Sequence, residues 1–110
     1  MTKRPIHEFR AEEAAAKAAR IAAVLEAAIA EAQADGYQWI SRDAVAARAG
    51  LSAGSVSNAF GGMRALKRRV MTEACTRPIP SIVAQGLADG SDIARNAAPS
   101  VKEAALATIR

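Results

Sequence analysis

From Glu8 to Asp35 the chain runs without a helix breaker, and Ile21, Val24, Leu25, Ala28, Ile29 and Ala32 return at three- and four-residue steps. That spacing predicts one long amphipathic helix, ended by Asp35-Gly36, where glycine can take a left-handed conformation. Its first half, Ala11 to Ala19, has high helix propensity and little bulk to bury, so it is expected to project from the core or meet a partner. Ser41 is a good N-cap for a second helix over Arg42–Ala49, with Asp43 in the first turn and Gly50 at its end. Ser52 caps a third over Ala53–Phe60, closed by Gly61-Gly62. A fourth runs from Met63 to Thr76, with Met63, Leu66 and Val70 on one face and Arg64, Lys67 and Arg68 on another. Pro78 and Pro80 forbid its continuation. Beyond them, Ile82, Val83 and Leu87 predict a short helix ending near Gly90, and Val101, Leu106 and Ile109 another after Pro99-Ser100.

Composition agrees with this all-α pattern. Half the residues are apolar, at 51%, but aromatics make up 4%, so strand-forming material is thin and alanine dominates. At 110 residues the chain suits one domain with a modest core. The expected division is a domain over residues 1–77 and a short helical extension over 78–110, a candidate dimerisation segment. A single cysteine, Cys75, and a single histidine, His7, exclude an internal disulfide and a Cys/His metal cluster. Cys75 reads as a structural thiol and His7 as a solvated side chain. No stretch reaches the roughly 20 apolar residues of a membrane span. Met1-Thr2-Lys3-Arg4-Pro5 is followed by no apolar run of the kind a secretory leader needs. No base, nucleophile and oxyanion donors converge on a pattern, so an enzyme is not expected, nor any cofactor.

The net charge of +4 is unevenly placed. Arg42, Arg48, Arg64, Lys67, Arg68, Arg69 and Arg77 face only Asp43 and Glu73 in the middle of the chain, whereas the two ends are close to balanced. Such a field suits a polyanion. Within it lies AVAARAGLSAGSVSNAF, residues 44–60, whose one charge is Arg48.

Two short helices joined by a glycine turn describe a helix-turn-helix. Ala46 permits a close crossing, Gly50 supplies the turn, and Val45, Ala49, Leu51, Val56 and Phe60 are spaced to face inward. A helix lying in the major groove must bring short, hydrogen-bonding side chains to base edges, with long cations set at its margins where phosphates run. Ser55, Ser57 and Asn58 are the candidate base readers. Ala53 and Gly54 leave room for approach, and Ser52 is first of all a cap. Arg42, Arg48, Arg64, Lys67 and Arg68 are the candidate phosphate contacts, while Trp39 is expected to pack.

Gly36-Tyr37, Ser41, Val45-Ala46, Ala49-Gly50, Leu51-Ser52, Gly54-Ser55-Val56 and Phe60, over roughly residues 18 to 75, resemble the N-terminal DNA-binding domain of the TetR family. They are closer to it than to a LacI-type headpiece, which begins almost at the first residue. The chain departs from the family at Ser57, where Tyr is usual, and at Met63, where a Lys commonly touches phosphate. Arg64, Lys67 and Arg68 are the expected substitutes. The resemblance implies an all-α fold with a long first helix and a short C-terminal helical extension. It also implies a DNA-binding transcription regulator, expected to be a repressor acting as a homodimer on a palindromic site in double-stranded DNA, in the cytoplasm of a bacterial or phage system and on the nucleoid when bound. The family's usual long ligand-binding domain has no counterpart after the fourth helix, so no small-molecule effector is expected. The alternative is a helical interaction adaptor or inhibitor that keeps the fold without reading DNA.

Overall fold

A computed structural model describes residues 6–109, with side chains from Arg10 onward. Met1 to Pro5, where a leader is not expected, and the side chain of His7, expected to be solvated, lie outside the described residues. The first helix, α1 (Ile6–Asp35), is 30 residues long, which at 1.5 Å per residue is about 45 Å. The molecule measures 65 × 27 × 18 Å, so α1 outruns the body it belongs to. Val24, Leu25, Ala27, Ala28, Ile29 and Ala32 are buried, while every residue from Arg10 to Arg20 is exposed. The alanine-rich half is a projecting arm.

At the end of α1 the structure differs from the sequence reading. Gly36 has a positive φ of 109°, but its ψ of 145° places it in an extended region outside the left-handed helical one, and only glycine enters that region readily. Its amide still donates to Ala32 O at 3.0 Å. The chain then makes a 3₁₀ turn over Tyr37–Trp39 that hydrophobic periodicity does not register. Tyr37 is buried there, its amide donating to the Gln85 side chain and its hydroxyl to Lys67 O at 3.1 Å. It ties the end of α1 to two later helices. Trp39 does not pack as expected, since it is 66% exposed.

The remaining helices are α2 (Arg42–Ala49), α3 (Ala53–Ala59), α4 (Met63–Thr76), α5 (Pro80–Ala88), α6 (Asp92–Arg95) and α7 (Pro99–Ala107). Ser41 Oγ accepts from Ala44 N at 3.2 Å and Ser52 Oγ from Ser55 N at 3.1 Å, so both predicted caps form. Gly50 takes the left-handed conformation, φ 68° and ψ 33°, that closes α2. Val45 and Val56 are fully buried and pin α2 and α3 together, with Ala49, Leu51 and Phe60 partly buried around them. Leu66, Val70 and Met71 of α4 meet Ile82 and Val83 of α5 in the same core. Each such side chain contributes roughly 1.5–3 kcal/mol on burial. Helix α6 went unforeseen because four residues are too short for a period; Ser91 caps it, accepting from Ala94 N at 3.3 Å. No strand occurs among the described residues.

Candidate nucleic-acid interface

Helix α3 is held by one fully buried side chain, Val56, and the rest of its surface is available in different degrees. Asn58 and Gly54 are exposed, and Ala53, Ser55 and Ser57 are half-buried. Ser52 and Ser55 share a hydroxyl contact of 2.9 Å, which adds to the cap. Asn58 forms no hydrogen bond with its side chain among the described residues, so its amide is unspent. A Cβ built on Gly54 meets only Ser52 Oγ, at 4.0 Å. The first turn of α3 is therefore bare enough for close approach by a base pair edge.

The candidate phosphate contacts divide into two groups. Arg42, at the start of α2, and Arg64, in the first turn of α4, are exposed and have no ion-pair partner among the described residues. Arg48 instead turns back to α1, its Nε 2.5 Å from the buried Glu31 carboxylate. Arg68 grips Asp92 with both terminal nitrogens, at 3.1 and 3.3 Å. The Lys67 ammonium lies 5.2 Å from the centre of the Tyr37 ring, within cation–π range. Farther along α4, Arg69 pairs with Glu73, and Arg77 with Glu73 and Glu26. These internal partners, 17 to 51 residues away for Arg48, Arg68 and Arg77, account for much of the central positive charge.

The pairs leave their mark on acidity. Hydrogen bonds from Arg48, Arg77 and Arg68 hold the Glu31, Glu26 and Asp92 carboxyls below their ordinary values. Asp35, one turn after Glu31, is pushed the other way, first by its hydrogen bond with Glu31 and then by the neighbouring charge. Cys75 is half-buried, and burial raises its thiol above the ordinary value, which leaves little thiolate for nucleophilic chemistry.

Beside α3 lies an open cleft of about 400 Å³ that the sequence reading missed. One wall is Ser55, Asn58 and Ala59 of α3; the other is Lys17, Arg20 and Ile21 of α1. Lys17 and Arg20 are exposed and make no ion pair among the described residues. Charge counting passed over them because the first helix is balanced by its own acids. The available signal was position, since Lys17 and Ile21 continue the stripe of Val24 and Ala28 beyond the edge of the core.

Comparison with known proteins gives a match to the family described as bacterial regulatory proteins, tetR family, over residues 24–70. No curated protein and no solved structure matches the chain. The matched stretch runs from the first buried residue of α1 through α2 and α3 into α4, and it contains the capped helices and the turn at Gly50. TetR-family regulators suggest DNA-binding transcription regulation, and no helix among the described residues is long and apolar enough to cross a membrane. The segment that carries this geometry is similar to the DNA-binding domain of that family of bacterial regulatory proteins.

Proposed function

We propose that the protein is a small sequence-specific transcription regulator, a repressor that binds a palindromic operator as a homodimer in the cytoplasm and on the nucleoid. The observation that carries this reading is the contrast around α3: Asn58 and Gly54 are open, Arg42 and Arg64 have no ion-pair partner among the described residues, and Arg48, Arg68 and Arg77 are held by carboxylates. In this reading Asn58, with Ser55 and Ser57, reads base edges from the major groove, Ala53 and Gly54 admit the helix, and Ser52 holds its first turn. Arg42 and Arg64 bind phosphate. Arg48, Lys67 and Arg68 position the helices that carry them and add to the field. A single copy offers few base contacts at about 1–3 kcal/mol each, so two copies with recognition helices roughly 34–36 Å apart supply useful affinity. The segment from α5 to α7, with Leu106 and Ile109 exposed at 45% and 63%, is the surface for pairing. No small-molecule effector is part of the proposal.

The test is selection of bound duplexes from a random pool, with the mass of the complex measured alongside. A palindromic consensus held by two chains is expected. Asn58→Ala should flatten preference at one position by about 1–3 kcal/mol, and Arg64→Ala should weaken binding to all duplexes and lower the salt slope by about 1. Equal loss on selected and random DNA for Asn58→Ala would remove base reading from that residue. A second reading, a protein-interaction adaptor, draws on the exposed Trp39, Leu106 and Ile109 and on Ser57 and Met63 standing where the family has Tyr and Lys. Absence of duplex binding even at low ionic strength decides for it.

A further inference from the structure

The arm of α1 precedes the family-matched segment and has no part in the core, yet it forms one wall of the cleft beside α3. We infer that this cleft seats a DNA backbone strand, with Lys17 and Arg20 closing on its phosphates from the side opposite Asn58. The inference rests on the DNA-binding reading above and extends it to a second anionic contact surface outside the helix-turn-helix.

The argument is geometric. A helix with its side chains is about 10–12 Å across, and the major groove is about 12 Å wide. With α3 in the groove, the two sugar-phosphate strands must pass along its two flanks. On one flank the arm already stands, and the space left between arm and helix is the cleft of about 400 Å³. Its outer wall presents an ammonium and a guanidinium, and its inner wall the Ser55 hydroxyl and the Asn58 amide. Cations on one side and neutral donors on the other fit a strand whose charge lies outward and whose bases lie inward.

The charges are also unspent. Lys17 forms no ion pair with Glu13 one turn away, although that spacing permits it, and Arg20 has no acidic partner among the described residues. Elsewhere in the fold Arg48, Arg68, Arg69 and Arg77 all have one. Arg10 falls seven residues before Lys17 on the same stripe, about 10 Å farther out at 1.5 Å per residue, in reach of the next phosphates along. The pair Lys17 and Arg20 thus supplies backbone charge that Met63 does not provide at the start of α4.

The experiment uses the full chain, the duplex recovered by selection and a random duplex, with binding measured from 50 to 200 mM salt. Lys17→Ala/Arg20→Ala is expected to weaken both duplexes by the same factor and to lower the salt slope by about 1.8 per subunit, at about 0.9 per phosphate contact. Across that fourfold range of salt, the affinity should then change about tenfold less per subunit. Phosphate ethylation on one flank of each half-site should interfere with the wild type and not with this variant. Lys17→Arg/Arg20→Lys should keep the slope, and circular dichroism should show all variants folded. An unchanged slope in a wild type that does bind DNA overturns the clamp and leaves the helix-turn-helix reading standing. Tighter binding by the alanine variant also overturns it, because the arm is then an obstacle. A wild type that binds neither duplex overturns both.

Discussion

The corner where α2 meets α3 and the seam where α4, α5 and α6 meet are built to different standards of burial. At the seam, Leu66, Val70, Met71 and Ala74 interlock with Ile82, Val83, Ala84, Gly86 and Ala94, all buried, and Arg68–Asp92 bridges the rim. At the corner, α3 buries Val56 and otherwise leans on partly buried neighbours, and its flanking Arg42 and Arg64 have no carboxylate partner among the described residues. The seam supplies more burial energy than the corner, since free energy follows apolar area removed from water. The corner is carried by the rest of the fold, so the residues on its surface are not committed to packing. A surface freed in this way can be shaped for a ligand.

The contrast is broken most severely at Gly86. A Cβ there would stand 2.7 Å from Met71 Sδ and 2.9 Å from Ala94 Cβ. The thioether end can swing away, but Ala94 is fixed to α6. Gly86→Ala is expected to destabilise the whole fold by about 1–3 kcal/mol, less up to about 1 kcal/mol regained from helix propensity, read as a lower Cm in urea with an unchanged m-value. A rise in Cm would show that the seam has slack and would weaken the contrast with the corner.

Ser52→Ala acts on the other region and should cost about 1 kcal/mol, the usual loss on removing a serine cap. The cap serves a helix of seven residues with one buried anchor. The loss should therefore appear as faster amide exchange in α3 and weaker DNA binding, with a small change in Cm. A Cm shift as large as that of Gly86→Ala would mean that corner and seam unfold as one unit.

The sequence carried the seam and the corner unequally well. The ranges of α2 and α4 were legible because a serine cap, a left-handed glycine and a proline stop are local signals, and all three act within a few residues. Helix α6 and the turn at Tyr37–Trp39 were not, being too short for a period to repeat. An aromatic beside a helix start reads as packing, yet Trp39 is exposed and the tie is made by Tyr37, two residues before it. At the site, the bare character of α3 was evident from Ala53, Gly54, Ser55 and Asn58. Which arginines remain available was not, because Arg48 meets Glu31 and Arg68 meets Asp92 through tertiary contacts that no spacing rule encodes. The cleft wall at Lys17 and Arg20 is masked in the charge balance by the acids of α1 itself.

The smallest expected effect concerns Arg48 and separates charge from packing behind the corner. Its guanidinium holds the Glu31 carboxyl below the ordinary value of 4.5. A depressed carboxylate adds stability above its unfolded pKa, and that stability is lost as pH falls through the folded value. Asp35 has the opposite sign: its raised pKa favours the folded state below 3.8, and the benefit fades as pH rises through the folded value. Arg48→Ala removes the cation and leaves Glu31 and Asp35 facing each other, so the variant should melt below the wild type at pH 7. The gap should narrow as pH falls through the lowered pKa of Glu31, where the carboxyl takes up a proton and the ion pair is lost in the wild type too. Arg48 is 41% exposed on its side chain, so water screens the pair and the gap stays small. Thermal melts at pH 7, 5 and 3 measure it. A gap that does not vary with pH would assign the role of Arg48 to the packing of its aliphatic stem, and the corner would then be backed by apolar contact where its flanks are set by charge.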